Sequence, residues 1–265
     1  MKHTIPISVF IIAQNEADRI PLAIRSVIDW VDEVIVIDSG SSDNTVELSR
    51  DLGANVVFNE WQGYGPQKSY GETLCSNDWL LNIDADEEIS ENLRDEIIDL
   101  FQNEQLPCDA YRLPIMPIDS IDSANPSRST NKNIVRHKPV RLYRKSVCQF
   151  KTAVVHDSVI VPSNVKVGKL RGVVHHRSFR SLSHHVEKAN FYSTAQAEVL
   201  FQSKRKTNFA VMFILPFLAF WKSYLLRREF LNGIDGVSAS HMFAFQRFIR
   251  YAKLRELERM KNADR

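Results

Sequence analysis

Two aspartates, Asp84 and Asp86, follow an apolar run in the segment LLNIDADEEIS, residues 80–90. Mg²⁺ and Mn²⁺ prefer oxygen ligands, commonly one or two protein carboxylates together with substrate phosphates. In a regular strand, Asp84 and Asp86 would lie on one face on either side of Ala85 and could not reach the same atom. Where the chain leaves the strand and turns, both carboxylates can bind one cation, or one can bind the cation while the other accepts hydrogen bonds from hydroxyl groups. The pair predicts a divalent cation site for a phosphate-bearing substrate. The following Glu87 and Glu88 are expected to stabilise the positive end of the next helix instead.

The elements that must position this pair alternate along the first hundred residues. Four short runs rich in Val and Ile predict strands buried on both faces, at 7–13, 33–38, 54–59 and 78–84. Amphipathic segments predict helices at 17–30, 43–52, 67–75 and 91–103, with serines as N-caps for the second and fourth. This alternation indicates a parallel sheet, whose ligands bind beyond the carboxyl ends of the strands. Asp38 and Asp84 are therefore expected on one edge of the sheet.

The remainder of the chain has two different patterns. Strand-like pieces separated by loops, from residue 108 to about residue 176, predict an antiparallel extension, and the polar stretch 119–133 suits either a lid or a plain surface loop. Beyond Ser181 the chain is predicted to be helical. Thirteen apolar residues, 209–221, lie between clusters of lysine and arginine and contain Pro216. This run is shorter than the roughly 20 residues of a membrane span. It fits an interfacial helix and a buried core helix equally well.

Bulk composition narrows the class of protein. A length of 265 residues with 44% hydrophobic content allows a substantial core, and three widely spaced cysteines favour a reducing cytoplasm. The first apolar run is too short for an export signal. Residues 1–132 carry nine Lys and Arg against 24 Asp and Glu, whereas residues 133–265 carry 25 against eight. The basic half predicts an anionic partner, although a solvated basic surface is the alternative.

Four segments, in order, are VFIIAQNEADRI, VDEVIVIDSGSSDNTVEL, WQGYGPQKSYG and DWLLNIDADEEIS. Together they resemble the donor domain of the inverting glycosyltransferase family 2, which has the GT-A fold. The later pieces RLYRK, VVHDS, GVVHHRSF and YLLRREFLNGIDG resemble the branch that adds hexoses to the inner core of bacterial lipopolysaccharide. That branch usually has Val-His-Glu where this chain has Val155-His156-Asp157.

The resemblance implies roles for particular residues of the donor site. Asp38 would accept a hydrogen bond from the uracil ring, and Asn15 and Glu16 would line the nucleotide pocket. Lys68 would contact the base or the phosphates, while Asp84 and Asp86 would bind the metal and the donor sugar. The structural alternatives are an Asp38 that only caps a turn and a Lys68 that is only solvated.

An inverting transfer also needs a general base for the acceptor hydroxyl. Asp157 is the candidate because it follows a strand and matches the acidic position of the family motif, with a turn cap as the alternative. His156 is a candidate metal or phosphate contact. Of the neighbouring His175 and His176, at most one can reach the site because adjacent strand residues face opposite ways.

These observations predict an α/β protein of GT-A type with a mostly parallel Rossmann-like sheet, an antiparallel extension and a helical C-terminal region. Its expected divisions are a donor-binding half (1–106), an acceptor-side extension (107–180) and a basic helical region (181–265). The expected activity is the transfer of a hexose, with glucose favoured, from a UDP-sugar to a lipid-linked lipopolysaccharide core oligosaccharide, with inversion. The expected cofactor is Mg²⁺ or Mn²⁺.

The expected location is the cytoplasmic face of the inner membrane, and no nucleic-acid partner is expected. The alternatives are a transferase for another surface polysaccharide, a haloacid-dehalogenase-type phosphatase and a nucleic-acid-binding module. The phosphatase is disfavoured because Asp84 and Asp86 follow the fourth predicted strand rather than the first.

Overall fold

The computed structural model of the protein describes residues 4–102, 106–118, 137–152, 158–177 and 180–263. By its internal contacts the chain forms two compact units, which are unit 1, the described residues from 4 to 177, and unit 2, residues 180–263. The functional division at residues 106 and 180 stays a prediction.

Unit 1 begins with the predicted alternation of strands and helices. Its first nine elements are β1 (Ile5–Ala13), α1 (Ile20–Arg25), β2 (Val31–Asp38), α2 (Thr45–Asp51), β3 (Asn55–Phe58), α3 (Tyr64–Leu74), β4 (Trp79–Asp84), β5 (Glu87–Ile89) and α4 (Glu91–Gln102). Helix α1 is shorter than the predicted 17–30, because the amides of Val27 and Trp30 bond three residues back, in tight turns.

The next strands of unit 1 are short. They are β6 (Ala110–Arg112), β7 (Ile115–Pro117), β8 (Val140–Arg144), β9 (Gln149–Phe150), β10 (Val159–Ile160), β11 (Val167–Lys169) and β12 (Val174–His176). The main sheet has seven strands in the order β11-β6-β8-β4-β1-β2-β3. Strands β4, β1, β2 and β3 are parallel, and β8 pairs antiparallel with both β4 and β6. A separate three-stranded sheet has the order β5-β12-β7. The α/β class and the antiparallel extension are confirmed.

Both faces of the main sheet are covered, which explains why β1 carries apolar side chains on both faces. In β1, Val9 and Ile11 face one hydrophobic cluster, whereas Phe10 and Ile12 face another on the opposite side. Helix α3 packs closely on the second side, since a Cβ at Gly71 would lie 2.8 Å from the Phe10 ring. That close approach brings the polar face of α3 to the sheet.

Unit 2 consists mainly of the helices α5 (Leu182–Gln202), α6 (Phe209–Trp221) and α7 (Gly233–Ala263). A π-helical turn, Lys222–Leu226, continues α6, and a 3₁₀ turn, Glu229–Asn232, leads into α7. The amide of His184 donates to the Ser181 hydroxyl at the start of α5. The predicted helical C-terminal region is confirmed.

The apolar run forms a surface helix rather than a core helix. Within the described residues, Phe209–Leu226 is the one helix long and apolar enough to cross a membrane, and only 6% of it is buried. Phe209, Phe213 and Phe217 are all more than half exposed. The predicted core environment is therefore wrong, and the predicted position at a membrane interface stays a prediction.

Candidate functional site

The carboxyl ends of three parallel strands meet at one edge of the main sheet, as the sequence predicts. Asp38 at the end of β2 lies opposite Ala13 of β1, and Asp84 at the end of β4 lies opposite Ile12. The two carboxylates therefore share an edge, with β1 between them. This edge is where parallel α/β sheets bind ligands.

Asp84 is held between two cations from different parts of the chain. The Lys68 Nζ on α3 lies 2.7 Å from one carboxylate oxygen, and the Arg141 Nη2 on β8 lies 2.9 Å from the other. Burial alone would raise the pKa of Asp84, but Arg141 and Lys68 outweigh it and the net pKa is lowered. Asp84 is therefore an anion that is already paired on both oxygens. Lys68 is 1% exposed, so the alternative of a solvated lysine is wrong.

Glu87 belongs to this cluster, contrary to the expectation that it serves the next helix. It lies in β5, its carboxylate is 3.2 Å from the Arg141 Nη2, and it accepts a hydrogen bond from the Asp84 amide at 2.9 Å. Burial, together with the charge of Asp84, raises the pKa of Glu87 despite the opposing charge of Arg141. Glu88 likewise pairs with Arg177 at 2.8 Å. The helix-end role was wrong because two residues that looked like a first helical turn form a strand against β12.

Asp86 lies between an imidazole and a guanidinium. The His176 Nε2 is 3.4 Å from Oδ1 of Asp86, and the Arg19 Nη1 is 3.4 Å from Oδ2. Burial by itself raises the pKa of Asp86, but the hydrogen bond and charge of His176 and the charge of Arg19 lower it overall. Burial lowers the pKa of His176, but the carboxylates of Asp86, Glu87 and Asp84 outweigh this and raise it.

Strand pairing decides which of the two histidines reaches the site. In β12, His176 is opposite Glu87, and His175 is opposite Glu88. Side chains of directly opposed residues share a face, so His176 faces the Asp84 cluster and His175 faces away from it. The prediction that at most one of the two reaches the site is consistent with this geometry.

The turns after β1 and β2 bind each other through the predicted nucleotide residues. Asp38 accepts from the Gly40 and Ser41 amides at 2.8 and 3.0 Å and from the Ser41 hydroxyl at 2.5 Å. Asn15 has a left-handed backbone (φ 56°) and accepts from the Ser42 amide at 2.8 Å. Asp38 therefore caps its turn, as the structural alternative held. A carboxylate has about four lone-pair sites, so this does not exhaust its capacity to accept.

Glu16 connects the turn after β1 to Asp86 through Arg19. Its carboxylate accepts from the Arg19 Nε at 2.8 Å, and the same guanidinium reaches Asp86 and the Arg177 carbonyl, the latter at 2.7 Å. The structure thus joins Glu16, Lys68, Asp84 and Asp86 with their partners at one edge. Asn15 and Asp38 lie in the neighbouring turns, whereas His156 and Asp157 lie outside the described residues and their roles stay predictions.

Sequence reasoning assigned Lys68 but missed the two arginines of the site. Arg19 and Arg141 contact its carboxylates, yet neither was assigned a role, and His176 was only one of two histidines that could reach the site. A signal for Arg141 existed, because RLYRK is one of the pieces that carry the family resemblance. Within the part of the chain that the structure describes, no three His, Cys, Asp or Glu side chains form a metal-binding group.

The arrangement is suited to binding a charged ligand beyond the sheet edge. Ionised carboxylates alternate with lysine, arginine and imidazole groups, so a diphosphate and its counter-cation would find partners of both signs. Together with the parallel sheet, this defines an α/β protein with a candidate site for a phosphate-bearing substrate.

Comparison with known proteins establishes the family. Residues 8–160 match the family model "Glycosyl transferase family 2". The chain is 44% identical over 259 residues to an uncharacterized glycosyltransferase of Rickettsia felis, covering 94% of this chain and 89% of the relative. The protein belongs to glycosyltransferase family 2 and is a glycosyltransferase. The alternative of a haloacid-dehalogenase-type phosphatase is therefore wrong.

Two further similarities are more distant. The chain is 26% identical over 265 residues to LpsC, a lipopolysaccharide core biosynthesis glycosyltransferase of Rhizobium meliloti, covering 97% of this chain and 94% of LpsC. Among solved structures, it is similar to glucosyl-3-phosphoglycerate synthase from Mycobacterium tuberculosis in complex with Mn²⁺, UDP and glucosyl-3-phosphoglycerate. That match has 18% identity, covers 78% of this chain and 82% of the other, and has a TM-score of 0.41.

Proposed function

We propose that this glycosyltransferase moves a hexose, with glucose as the first candidate, from a UDP-sugar to a lipid-linked lipopolysaccharide core oligosaccharide, with inversion. The observation that carries the donor assignment is the joint position of Asp84, Asp86, Lys68 and Arg141 at the carboxyl edge of the sheet. A sugar nucleotide leaves as a diphosphate, which needs positive charge as its bond to the sugar breaks.

The donor would be held by residues that are already clustered. Lys68 and Arg141 would exchange part of their contact with Asp84 for the diphosphate oxygens, which are similar anionic acceptors. Asp38 would accept from the uracil N–H, and Asn15 and Glu16 would border the nucleotide. These roles follow the family resemblance, and the shared edge supports them.

Asp86 would hold a divalent cation together with His176, whose imidazole would bind the ion in its neutral form and so release its proton on metal binding. The Asp86 Oδ1 and the His176 Nε2 are 3.4 Å apart. Two octahedral ligands at about 2.1 Å from Mg²⁺, at right angles, would be about 3 Å apart. The oxygens of Asp84 are paired at 2.7 and 2.9 Å, more closely than the 3.4 Å contacts of Asp86, so Asp84 would act chiefly on the donor sugar. The bound ion would supply charge that stabilises the leaving diphosphate. His156 stays a further candidate ligand.

Asp157 is proposed as the general base. Its carboxylate would take the proton of the acceptor hydroxyl as the hydroxyl oxygen bonds to the anomeric carbon. The bond from that carbon to the diphosphate oxygen breaks on the opposite face, and its electron pair leaves with UDP. This displacement inverts the anomeric centre.

The acceptor assignment rests on the similarity to LpsC and on the basic second half of the chain. A phosphorylated glycolipid at the cytoplasmic face of the inner membrane would match that charge.

Helix α6 supports peripheral attachment of the protein to the membrane. It runs antiparallel to α7, since Thr207 contacts Glu258 and Phe220 contacts His241. A spanning α6 would draw the charged α7 into hydrocarbon, so α6 is proposed to lie in the interface.

A donor screen tests the proposal. UDP-glucose, UDP-galactose and their N-acetyl forms are offered with Mg²⁺ or Mn²⁺, and released UDP is measured. We expect turnover of one donor that is lost with a chelator and falls at least about 100-fold in Asp86→Asn. Asp95→Asn is the matched control, because Asp95 is an exposed aspartate on α4.

If none of the UDP-sugars is turned over, the donor assignment is wrong. If Asp86→Asn keeps full turnover, the metal assignment is wrong. Donor hydrolysis without transfer to lipopolysaccharide core would instead favour another surface polysaccharide as the acceptor.

A further inference from the structure

Unit 2 contains a basic pocket at the turn between α5 and α6. We use "basic pocket" for the cavity of about 420 Å³ lined by Phe201, Lys204, Arg205, Lys206, Thr207, Arg255, Glu258 and Lys261. Five of these eight residues are cations, and one is a carboxylate. The cations come from two elements, because three lie on the turn and two lie on the last part of α7.

The turn is built so that three consecutive cations enter this pocket. Lys204 has a left-handed backbone (φ 55°), a position at which helices usually end with glycine. The Arg205 amide bonds back to the Leu200 carbonyl at 3.0 Å, which closes the helix end. Thr207 then donates from its amide and its hydroxyl to Glu258 at 2.9 and 2.5 Å, which attaches the turn to α7.

The charge of the basic pocket is only partly balanced by protein, because one carboxylate lies among five cations and pairs with one of them, Arg255. Glu258 is the lining carboxylate, and it is already engaged by Thr207 and Arg255. Within the described residues, no side-chain hydrogen bond or ion pair is found for Lys204, Arg205 or Lys206. Five neighbouring cations repel one another, and an anion bound among them would relieve that repulsion.

We propose that the basic pocket binds the phosphate of an anionic phospholipid headgroup. This inference rests on the proposed membrane attachment and assigns its polar contact. A lipid is favoured as the source of the phosphate because the exposed apolar helix begins directly after the pocket. Phe209 and Phe213 are 74% and 62% exposed, and Phe209 lies three residues beyond Lys206. A headgroup in the pocket would place its acyl chains beside that apolar surface.

Vesicle sedimentation of the full chain tests the assignment. Binding to phosphatidylcholine vesicles is compared with and without phosphatidylglycerol for the wild type, for Arg205→Gln with Lys206→Gln, and for Lys204→Gly. General attraction to an anionic surface is worth about fivefold in binding for each cation, so it predicts a loss of about 25-fold for any two exposed cations. A charge-assisted hydrogen bond to a bound phosphate is worth at least about tenfold, so the double variant should bind at least about 100-fold more weakly. Lys204→Gly should lose at least about tenfold without strain, because glycine accepts the left-handed backbone.

The matched control is Lys222→Gln with Arg228→Gln, which removes two exposed cations at the other end of the same apolar segment. A loss in the control equal to that in the pocket variant would show general attraction and overturn the pocket. Inorganic phosphate is tested separately by thermal unfolding. A pocket-dependent stabilisation by phosphate, with vesicle binding unchanged in the variants, would assign the site to free phosphate and overturn the lipid source.

Measuring UDP release in the absence of lipid separates the donor assignment from the proposed phospholipid site. The pocket variants should retain it fully, because the pocket belongs to unit 2 and the donor cluster belongs to unit 1. A wild type that turns over no UDP-sugar refutes the donor proposal alone, and vesicle binding still decides the pocket.

Discussion

Replacing Arg141 with methionine should destabilise unit 1 because the guanidinium neutralises two carboxylates at once. Asp84 would keep Lys68 at 2.7 Å, but Glu87, which is 3% exposed, would keep only the Asp84 amide among the partners that the structure shows. Removing one member of a buried ion pair typically costs about 3–5 kcal/mol.

The free energy of unfolding that Arg141→Met should lose can also be worked out from the protonation of Glu87. A buried Glu87 without Arg141 would take up a proton, and holding it protonated costs about 1.4 kcal/mol for each pH unit above its ordinary pKa of about 4.3. The upper limit is then about 3.7 kcal/mol at pH 7 and about 1 kcal/mol at pH 5. The destabilisation grows with pH because the pKa of Glu87 is higher in the folded protein than in the unfolded chain. The penalty is therefore absent below the unfolded pKa and grows as the pH rises, until it passes the folded pKa.

Urea unfolding followed by tryptophan fluorescence measures this, since Trp30 and Trp79 are buried in unit 1. Arg144→Met is the matched control on the same strand. Its side chain is 39% exposed, lies 3.5 Å from Asp109 and lies 5.3 Å from the centroid of the Trp79 ring. Its loss should therefore cost at most about 2 kcal/mol in the free energy of unfolding, and that cost should be the same at pH 5 and pH 7. Adding Glu87→Gln to Arg141→Met should remove most of the pH dependence. Equal losses at pH 5 and pH 7, or no effect of the added change, would refute the reasoning.

Four other outcomes are expected. Asp157→Asn should retain UDP-sugar binding by calorimetry while transfer falls at least about 100-fold, and unchanged turnover would exclude the base role. Tyr143→Phe should lower the free energy of unfolding by about 1.5–3 kcal/mol, because its hydroxyl donates to buried Glu72 at 2.5 Å, and a urea midpoint equal to wild type would contradict this. Burial, with the charge of Glu33, raises the pKa of Cys75 to about 12, so mass spectrometry should find Cys75 unlabelled by iodoacetamide at pH 8 until the protein is unfolded. Lys204→Gly should raise the free energy of unfolding of unit 2 by up to about 1 kcal/mol by calorimetry, whereas destabilisation would count against the strain.

The alternation of strands and helices could be predicted because it depends on local patterns. The runs 33–38 and 78–84 contain consecutive apolar residues, at 34–37 and 79–81, as expected of strands covered on both faces. Parallel strands direct their carboxyl ends to one edge, so the common position of Asp38 and Asp84 followed without coordinates. Glu87 shows where local reasoning failed. Its sequence fits a helix start, but pairing with β12 makes it part of a strand.

From its amino-acid order alone, this protein is recognisable as an α/β glycosyltransferase with a carboxylate pair beyond its fourth strand. Only the tertiary structure decided which charges those carboxylates face. Arg141 is 57 residues from Asp84, and it reaches the site because β8 pairs antiparallel with β4 in a register that opposes Leu142 to Leu81. His176 is chosen over His175 by its pairing with β5. Periodicity and strand direction are local properties of a sequence, whereas the partner of a buried charge depends on the register in which distant strands meet.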